Sequence, residues 1–582
     1  MRIANLSMVN RSRPPGGGQF ITGLKILGTA LLVAGCAQSK LTLSDNQKAV
    51  QAELSKVNPR TDPLPARTRI IDVHTHTFNS RYLPIEGVLL GKRDIAPVAS
   101  LLSDSCAKAL AQAVVDRTEL AAAAGQPAII QSGDFHLEPS GGWVCRVIIG
   151  LLNKAAAAGA WDKTKSKQDQ TAALNSVATN MTFSERLAVR STMQMMGMNE
   201  QTVDKGNPGL MAAVRFLWQL TQNDARMGEY LNGDYADAPK RGNIVMVSHM
   251  MDLGPVYDEA PRGTDLLDFG TAQVRRMEDF QNRPDSNLIY FVAYIPYRDH
   301  VKGAVSGDSL RLVQDAVEHH GAWGVKFYPP SGYRAAGNVI PLKPKTLNHY
   351  PQAQFKARYG ALGPQGGKEL DVISERLLNW CIEKDLPVFA HCATGEFEAR
   401  EGYGVSNSDP KYWREFLTAH PAPDGSPCRL RLSLGHAGSG DYWYGYSKYA
   451  SWGKEVAELC RDYPNVYCEI TTHSELTDPD RQAFFAWRLL DEFAKDDAPN
   501  PGNTPRYKLR DKLMYGTDWY LPDAAKRSEV LLSTEEVFLH PQLKPYYTQY
   551  FSGNAARYLN LAGRLGQARS SAVRERLQPF VK

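Results

Sequence analysis

The sequence predicts an α/β fold in which eight parallel strands close into a (β/α)₈ barrel. Short apolar or β-branched segments recur along the chain, and each is followed by a stretch with helical periodicity. There are eight such segments, which is the number of strands that closes a parallel barrel. Polar residues directly follow several of them, where a parallel barrel carries its reactive groups. The predicted strands are residues 69–74, 244–248, 288–295, 324–328, 387–391, 429–436, 465–470 and 512–517.

The spacing of these strands predicts a large insertion after the first one. Residues 81–240 contain no comparable strand, are rich in alanine and show helical periodicity, so we expect a mainly α-helical segment. It is either a packing domain or a lid over the site, and the sequence leaves both alternatives open. The barrel is then formed by residues 68–80 and 241–562, and residues 563–582 are predicted to be a C-terminal helical tail.

The N-terminus has the pattern of an export signal. Residues 1–35 begin with a positively charged stretch and end in an apolar run, 26–34, that is too short to span a bilayer. Small residues lead into Cys36, and this arrangement resembles the bacterial lipoprotein signal. The resemblance implies that Cys36 is lipidated and holds the protein at the bacterial cell envelope, facing the periplasm or the exterior. The alternative is an ordinary signal peptide in which the cysteine is incidental. Residues 36–67, polar and ending in prolines, are predicted to be a tether.

Charge limits the partners of the chain. The formal net charge is +5, and four of the positive charges lie in residues 1–35, which contain no acidic residue, so the remainder is close to neutral. No basic run interleaved with aromatic residues is present, which excludes the usual signature of a nucleic-acid-binding protein. We therefore expect a small-molecule substrate, no nucleic acid, and membrane contact only through the lipid anchor. The oligomeric state cannot be predicted from the sequence.

The eight cysteines do not form a recognisable disulfide pattern. With Cys36 assigned to the anchor, seven remain, and they show no CxxC motif or regular spacing. Cys106 and Cys145 could pair in an oxidising compartment, which the sequence leaves open. Three others lie in apolar stretches and are predicted to be buried small hydrophobic residues: Cys381, Cys392 and Cys468.

Histidine and aspartate residues at the strand ends predict a reactive site. His74 and His76 end the first strand, and residues two apart on a strand share a face, so both imidazoles can point to one place. His391 ends the fifth strand, His436 ends the sixth, and Asp518 follows the eighth. A single His-x-His pair is often incidental. Five such residues at the ends of four strands indicate a shared site at the carboxyl end of the barrel.

Six segments resemble the amidohydrolase superfamily, and the last of them resembles the end of its amidohydrolase-related branch. Together they cover the predicted barrel and leave the insertion outside. The segments are Ile71-Asp72-Val73-His74-Thr75-His76, Gly324-Val325-Lys326-Phe327-Tyr328-Pro329, Val388-Phe389-Ala390-His391, Leu434-Gly435-His436-Ala437-Gly438, Tyr515-Gly516-Thr517-Asp518 and Ser552-Gly553-Asn554-Ala555-Ala556-Arg557-Tyr558-Leu559.

The resemblance implies a divalent metal held by His74, His76, His391 and Asp518. It also implies that Asp518 accepts and returns a proton, and that His436 is a catalytic residue, either a ligand of a second metal or a stabiliser of the transition state. Three or four nitrogen and oxygen ligands with one open position suit Zn²⁺, with Mn²⁺ or Fe²⁺ as alternatives. We expect one metal ion, with two as the alternative.

Three further residues are candidates for contact with the substrate or a second metal. Lys326 lies on the fourth strand, where some members of the superfamily carry a carbamylated lysine, and we favour a substrate contact over a carbamate bridge. Arg298 follows the third strand, where a guanidinium suits a carboxylate substrate. His249 follows the second strand.

The predicted activity is hydrolysis of an amide, lactone or ester bond by metal-activated water. The first alternative is metal-dependent non-oxidative decarboxylation, an activity also found in this branch, and Arg298 would suit its carboxylate. The second alternative is a catalytically inactive binding protein of the envelope, against which the complete ligand set argues. The substrate is not identifiable, because specificity in these barrels lies in the strand-to-helix loops.

Overall fold

A computed structural model of the chain describes the barrel and its flanking helices. The described residues are 41–62, 64, 69–77, 244–253, 266–300, 308–338, 364–394, 398, 402–471, 473–498, 506–518 and 527–581, with isolated residues between 150 and 182. The chain divides into two compact units, residues 1–44 and residues 45–582. Of the first unit only residues 41–44 are described, and they form no helix or strand.

Eight parallel strands form one sheet in the order β1 to β8, which confirms the predicted (β/α)₈ barrel. Each observed strand overlaps a predicted one, and the residues of all eight are almost entirely buried, as expected for a sheet covered on both faces. The strands are β1 Ile70–Thr75, β2 Ile244–His249, β3 Leu288–Tyr294, β4 Gly324–Phe327, β5 Pro387–His391, β6 Arg431–Gly435, β7 Val466–Ile470 and β8 Leu513–Tyr515.

The first and last strands are linked through the side chain of Asp72. The backbone N–H of Thr517 donates to Asp72 Oδ1 at 3.0 Å, and the Thr517 hydroxyl donates to Oδ2 at 2.6 Å. Along the other edge of β1 the pairing with β2 shifts register between Asp72 and Thr75. The nearly closed barrel is therefore irregular where the first histidine lies.

Helices alternate with the strands and surround them. They are α1 Asp45–Leu54, α2 Leu266–Asn282, α3 Tyr297–His300, α4 Asp308–His319, α5 Pro364–Glu383, α6 Tyr403–Asn407, α7 Lys411–Ala419, α8 Asp441–Tyr444, α9 Ala450–Asp462, α10 Pro479–Lys495, α11 Arg527–Leu539, α12 Asn554–Tyr558, α13 Leu561–Arg564 and α14 Ser571–Leu577. Before α12 the chain forms a π-helical turn, Gln549–Gly553.

The C-terminal segment covers the end of the barrel where the strands begin. Trp323, just before β4, donates its indole N–H to Leu559 O at 2.9 Å, and Asn554 donates to Leu513 O at the start of β8 at 2.7 Å. Tyr558, Leu559 and other apolar residues up to Phe580 join a buried cluster with residues of the strands. This packing closes the amino-terminal end of the barrel, so the site must open at the other end.

Part of the predicted tether is a folded helix. Helix α1 lies within residues 36–67, but it packs against α10, with Val50 and Leu54 buried. The side chain of Gln51 donates to Asp480 Oδ1 on α10 at 2.9 Å. This stretch is therefore attached to the barrel from Asp45 onward. The sequence of this helix is mainly polar because only one of its sides is buried, and that polarity predicted a tether.

Several predictions concern residues outside the described part of the chain. The signal segment 1–35, Cys36, Cys106, Cys145 and most of the insertion at 81–240 belong to this group. Within the described residues, no helix combines the length and apolar character needed to cross a membrane. The prediction for the internal cysteines is confirmed, because Cys381, Cys392 and Cys468 are all buried and free.

Candidate metal centre

The predicted site residues lie at the carboxyl ends of the strands and are buried there. His74 belongs to β1 and His76 follows it, His391 is the last residue of β5, and His436 follows β6 directly. Asp518 lies three residues beyond the end of β8. Each of these five residues is at most 6% exposed, so little bulk solvent reaches the cluster.

The two histidines of β1 and Asp518 converge on one point. His74 Nε2 lies 3.3 Å from His76 Nε2, and each of these nitrogens lies 3.2 Å from Asp518 Oδ1. His76 Nδ1 lies 2.9 Å from the carbonyl oxygen of His249, which can only accept a hydrogen bond. The His76 proton is therefore on Nδ1, and Nε2 presents a lone pair to the point of convergence.

The second pair of histidines lies next to the first. His391 Nδ1 and His436 Nε2 are 3.1 Å apart, and the His436 ring centroid is 5.0 Å from that of His74. Among the described residues, one group of possible ligand atoms lies within 4.8 Å of one another, and it belongs to His74, His436 and Asp518. Pairwise contacts thus connect all five residues singled out at the strand ends, although His76 and His391 lie outside that group of three.

Two buried carboxylates support this cluster, and sequence reasoning missed the role of both. Glu469, on β7, places Oε1 2.8 Å from His74 Nδ1 and 2.9 Å from the backbone N–H of His436. Asp72 Oδ1 accepts from the His74 backbone N–H at 3.2 Å. A signal was available for both, since Asp72 lies between Ile71 and Val73 and Glu469 between Cys468 and Ile470, where an ionisable group requires a partner.

The loops that carry His436 and Asp518 have unusual backbone geometry. His436 has φ of +60° and Asp518 has φ of +51°, a left-handed conformation that is uncommon for residues with a side chain. The positive φ continues through Ala437, Gly438 and Ser439. A Cβ at Gly438 would lie 2.5 Å from the backbone of Trp452, so this tight turn after β6 requires glycine there.

Burial keeps the imidazoles in their neutral form. It lowers the pKa of His74 and His391 well below the usual value, and it lowers the pKa of His436 to about 4. For His74 the nearby Lys326 charge lowers the pKa further. Neutral imidazole is the form that binds a metal, so these residues do not have to lose a proton first.

The donor set fits a divalent cation. Both carboxylate oxygens of Asp518 are buried and receive no hydrogen bond from the described residues. Two unprotonated imidazole nitrogens and a carboxylate oxygen repel one another at 3.2–3.3 Å unless a positive charge lies between them. Zinc ligands at about 2.0–2.1 Å in a tetrahedral array are roughly 3.4 Å apart, close to the distances seen here.

The three secondary candidates have different positions. Lys326 Nζ lies 3.3 Å from His74 Nε2, so it is next to the ligand candidates, and both the substrate contact and the carbamate bridge stay open. His249 uses Nε2 in a 2.8 Å hydrogen bond to Val73 O, which leaves only Nδ1 for any ligand. Arg298 belongs to α3, directly after β3, but its side chain lies outside what the structure describes.

These features define a class: a (β/α)₈ barrel with a histidine and carboxylate centre at the carboxyl end of its strands. The family model described as Amidohydrolase matches residues 315–561, less than half of the chain. The match includes β4 to β8, with Lys326, His391, His436 and Asp518, and it begins after His74 and His76. No curated protein sequence matches the chain.

Three solved structures are similar to the chain. A probable 2-pyrone-4,6-dicarboxylic acid hydrolase from Acinetobacter baumannii, with citric acid bound, is 12% identical (TM-score 0.29; 57% of this chain, 88% of the other). A 5-carboxyvanillate decarboxylase from Novosphingobium aromaticivorans, with bound manganese and 3-methoxy-4-hydroxy-5-nitrobenzoic acid, is 15% identical (TM-score 0.33; 62% and 90%). A 2,6-dihydroxybenzoate decarboxylase from Rhizobium is 13% identical (TM-score 0.30; 55% and 84%). At these scores the likeness says nothing about the reaction of this chain.

Proposed function

We propose that this chain is a metal-dependent hydrolase of the amidohydrolase superfamily, acting on an amide, lactone or ester bond. The observation that carries the proposal is the Asp518 carboxylate, which is buried, receives no hydrogen bond from the described residues, and lies 3.2 Å from two histidine nitrogens. The amidohydrolase match over residues 315–561 supports the superfamily part of this proposal.

His74, His76, His391 and Asp518 would hold the metal, with His436 alongside. A divalent metal in such a site lowers the pKa of a water molecule toward neutrality and polarises a substrate carbonyl. Zinc suits the donor set, and manganese and iron are the alternatives. The roles of the chain's own residues follow from their contacts and do not depend on which metal is bound.

Asp518 is the proton carrier of the proposed reaction. Its carboxylate, which receives no hydrogen bond from the described residues, can take a proton from the attacking water as the new C–O bond forms. The same carboxyl group then returns that proton to the oxygen or nitrogen of the leaving group as the old bond breaks. His436, whose Nε2 lies 3.1 Å from His391 Nδ1, would donate a hydrogen bond to the developing oxyanion.

The test is an assay of the metal-loaded protein in oxygen-18 water with p-nitrophenyl esters, lactones, p-nitroanilides and hydroxybenzoic acids. We expect one of the first three groups to give a carboxylic acid product labelled with oxygen-18. Asp518→Asn should lower kcat by about 10²–10⁴-fold. The matched control is Asp424→Asn, an exposed carboxylate on a distant loop, which should leave the rate unchanged.

Two results would contradict the proposal. Release of CO₂ from a hydroxybenzoic acid, with no labelled product from any ester, lactone or anilide, would instead establish decarboxylation. A folded chain that takes up no Zn²⁺ or Mn²⁺ would support the inactive binding protein.

A further inference from the structure

Glu469 is a buried carboxylate with no contact to solvent. It lies near the carboxyl end of β7, opposite Met514 of β8, and is 0% exposed. Burying a carboxylate costs free energy unless hydrogen bonds compensate for the lost solvation. The two hydrogen bonds that Glu469 accepts offset part of this cost.

One oxygen of Glu469 joins two parts of the candidate metal centre. Oε1 is 2.8 Å from His74 Nδ1 and 2.9 Å from the backbone N–H of His436. By accepting the Nδ1 proton it leaves His74 Nε2 as a lone pair, 3.2 Å from Asp518 Oδ1. By accepting from the N–H of His436 it holds a residue whose φ is +60°.

Gly516, the residue directly after β8, leaves space for the Glu469 carboxylate. A Cβ at Gly516 would lie 2.8 Å from Glu469 Oε2 and 3.1 Å from His74 Cβ. Oε2 receives no hydrogen bond from the described residues. Among the described residues, the hydrogen bonds of Glu469 are therefore directed to His74 and His436 alone.

We propose that Glu469 is a positioning residue that sets the tautomer of His74 and the backbone of His436, and so prepares both for a metal ion. This inference rests on the proposed function, because it assumes that His74 Nε2 is a ligand. Carboxylates that accept from the second ring nitrogen of a ligating histidine orient the ring, and their loss typically weakens metal affinity 10–100-fold.

The experiment measures Zn²⁺ affinity by competition with a chromogenic chelator, and the visible spectrum with Co²⁺, on the full-length chain. We expect Glu469→Leu to weaken Zn²⁺ binding 10–100-fold and to change the Co²⁺ spectrum. Glu469→Gln keeps an acceptor oxygen and should lose less. The matched control is Glu535→Leu, which removes another fully buried glutamate, one that accepts from Tyr547 and lies on α11, and should bind Zn²⁺ like the wild type.

A second measurement does not depend on metal or on how the variants fold. The ¹⁵N ring resonances of the metal-free wild-type chain should show His74 protonated at Nδ1. An Nε2-protonated His74, or a folded Glu469→Leu variant with wild-type Zn²⁺ affinity, would overturn the role of Glu469 and leave the proposed function standing. A wild-type chain that binds no Zn²⁺ would overturn the proposed function itself.

Discussion

The residues of the candidate centre depend on a small number of supporting contacts. His436 and Asp518 both adopt left-handed backbone conformations, which cost free energy and persist only where neighbouring contacts hold them. Glu469 holds the N–H of His436, and Asp72 holds Thr517, the residue before Asp518. Each strained residue is thus next to a hydrogen bond to a buried carboxylate.

The first prediction concerns Gly516, where any side chain would disturb these contacts. Gly516→Ala would place a Cβ 2.8 Å from Glu469 Oε2 and 3.1 Å from His74 Cβ, so we expect a loss of about 1–3 kcal/mol in the free energy of unfolding. Urea denaturation measures it. Gly566→Ala is the control, because no atom lies within 4 Å of its added Cβ. Equal stability of the two variants would show that the space at Gly516 is not needed.

At this scale the sequence predicted which side chains meet but not what orients them. His74, His76, His391, His436 and Asp518 could be recognised because each closes an apolar strand, and parallel strands end at a common mouth. Glu469 lies inside a strand, and its contact with His74 joins residues 395 positions apart. A contact of that kind depends on strand register and on the empty space at Gly516, which the local sequence does not specify.

Among the elements, helix α1 shows how a polar segment becomes part of the barrel. Its sequence, Asp45–Leu54, has few apolar residues, but Val50 and Leu54 are one helical turn apart and share a face. They pack on α10, which has a broad apolar face of its own. Partner surfaces of this kind are visible only in the folded chain, which explains why the sequence predicted a tether.

The second prediction tests whether α1 stabilises the barrel. Leu54 is 2% exposed, so Leu54→Ala should lower the free energy of unfolding by about 2–4 kcal/mol. Lys48→Ala on the exposed side of the same helix should change it by less than about 0.5 kcal/mol. If urea denaturation gives the same midpoint for both variants, α1 behaves as a tether despite its packing.

The third prediction concerns Lys512 at the start of β8, whose pKa burial lowers to about 8. Its ammonium donates to Pro464 O and lies 4.5 Å from the Tyr467 ring. A lysine in the unfolded chain has a pKa near 10.4. Below pH 8 the folded chain therefore holds a buried charge, which lowers the free energy of unfolding. This destabilisation disappears as the pH rises from about 8 to above 10.

Lys512→Met removes the buried charge and with it the pH dependence. We therefore expect the variant to gain stability relative to the wild type, and to gain more at pH 7 than at pH 10. The two gains in the free energy of unfolding should differ by about 2 kcal/mol. Other groups that titrate in this range cancel in the difference. A difference that stays constant between pH 7 and pH 10 would show that Lys512 titrates as an exposed lysine does.

In the whole molecule the two ends of the barrel have separate roles. The C-terminal segment packs over the end where the strands begin, through contacts such as Trp323 with Leu559. The candidate metal centre lies at the other end. Stability and chemistry are divided in this way in parallel barrels generally, which leaves the strand-to-helix loops free to determine the substrate. The predicted insertion at 81–240 would connect at this same end, because it follows β1.

The fourth prediction concerns the location of the chain. We propose that it is a lipid-anchored protein of the bacterial cell envelope, on the basis of the sequence around Cys36. The wild type expressed in bacteria should incorporate labelled palmitate and sediment with membranes, since acyl chains supply the anchor. Cys36→Ser should do neither. Unlabelled wild-type protein, or a Cys36→Ser variant that remains equally membrane-bound, would rule out this anchor.

The central claim is that side chains from the ends of distant strands hold one divalent ion, and anomalous diffraction from crystals grown with Zn²⁺ tests it most directly. We expect a peak at the zinc absorption edge among the side chains of His74, His76 and Asp518, with His391 as the further ligand from β5, and we expect its loss in His74→Ala. A well-ordered crystal of the Zn²⁺-soaked wild type with no peak among these three side chains would contradict it.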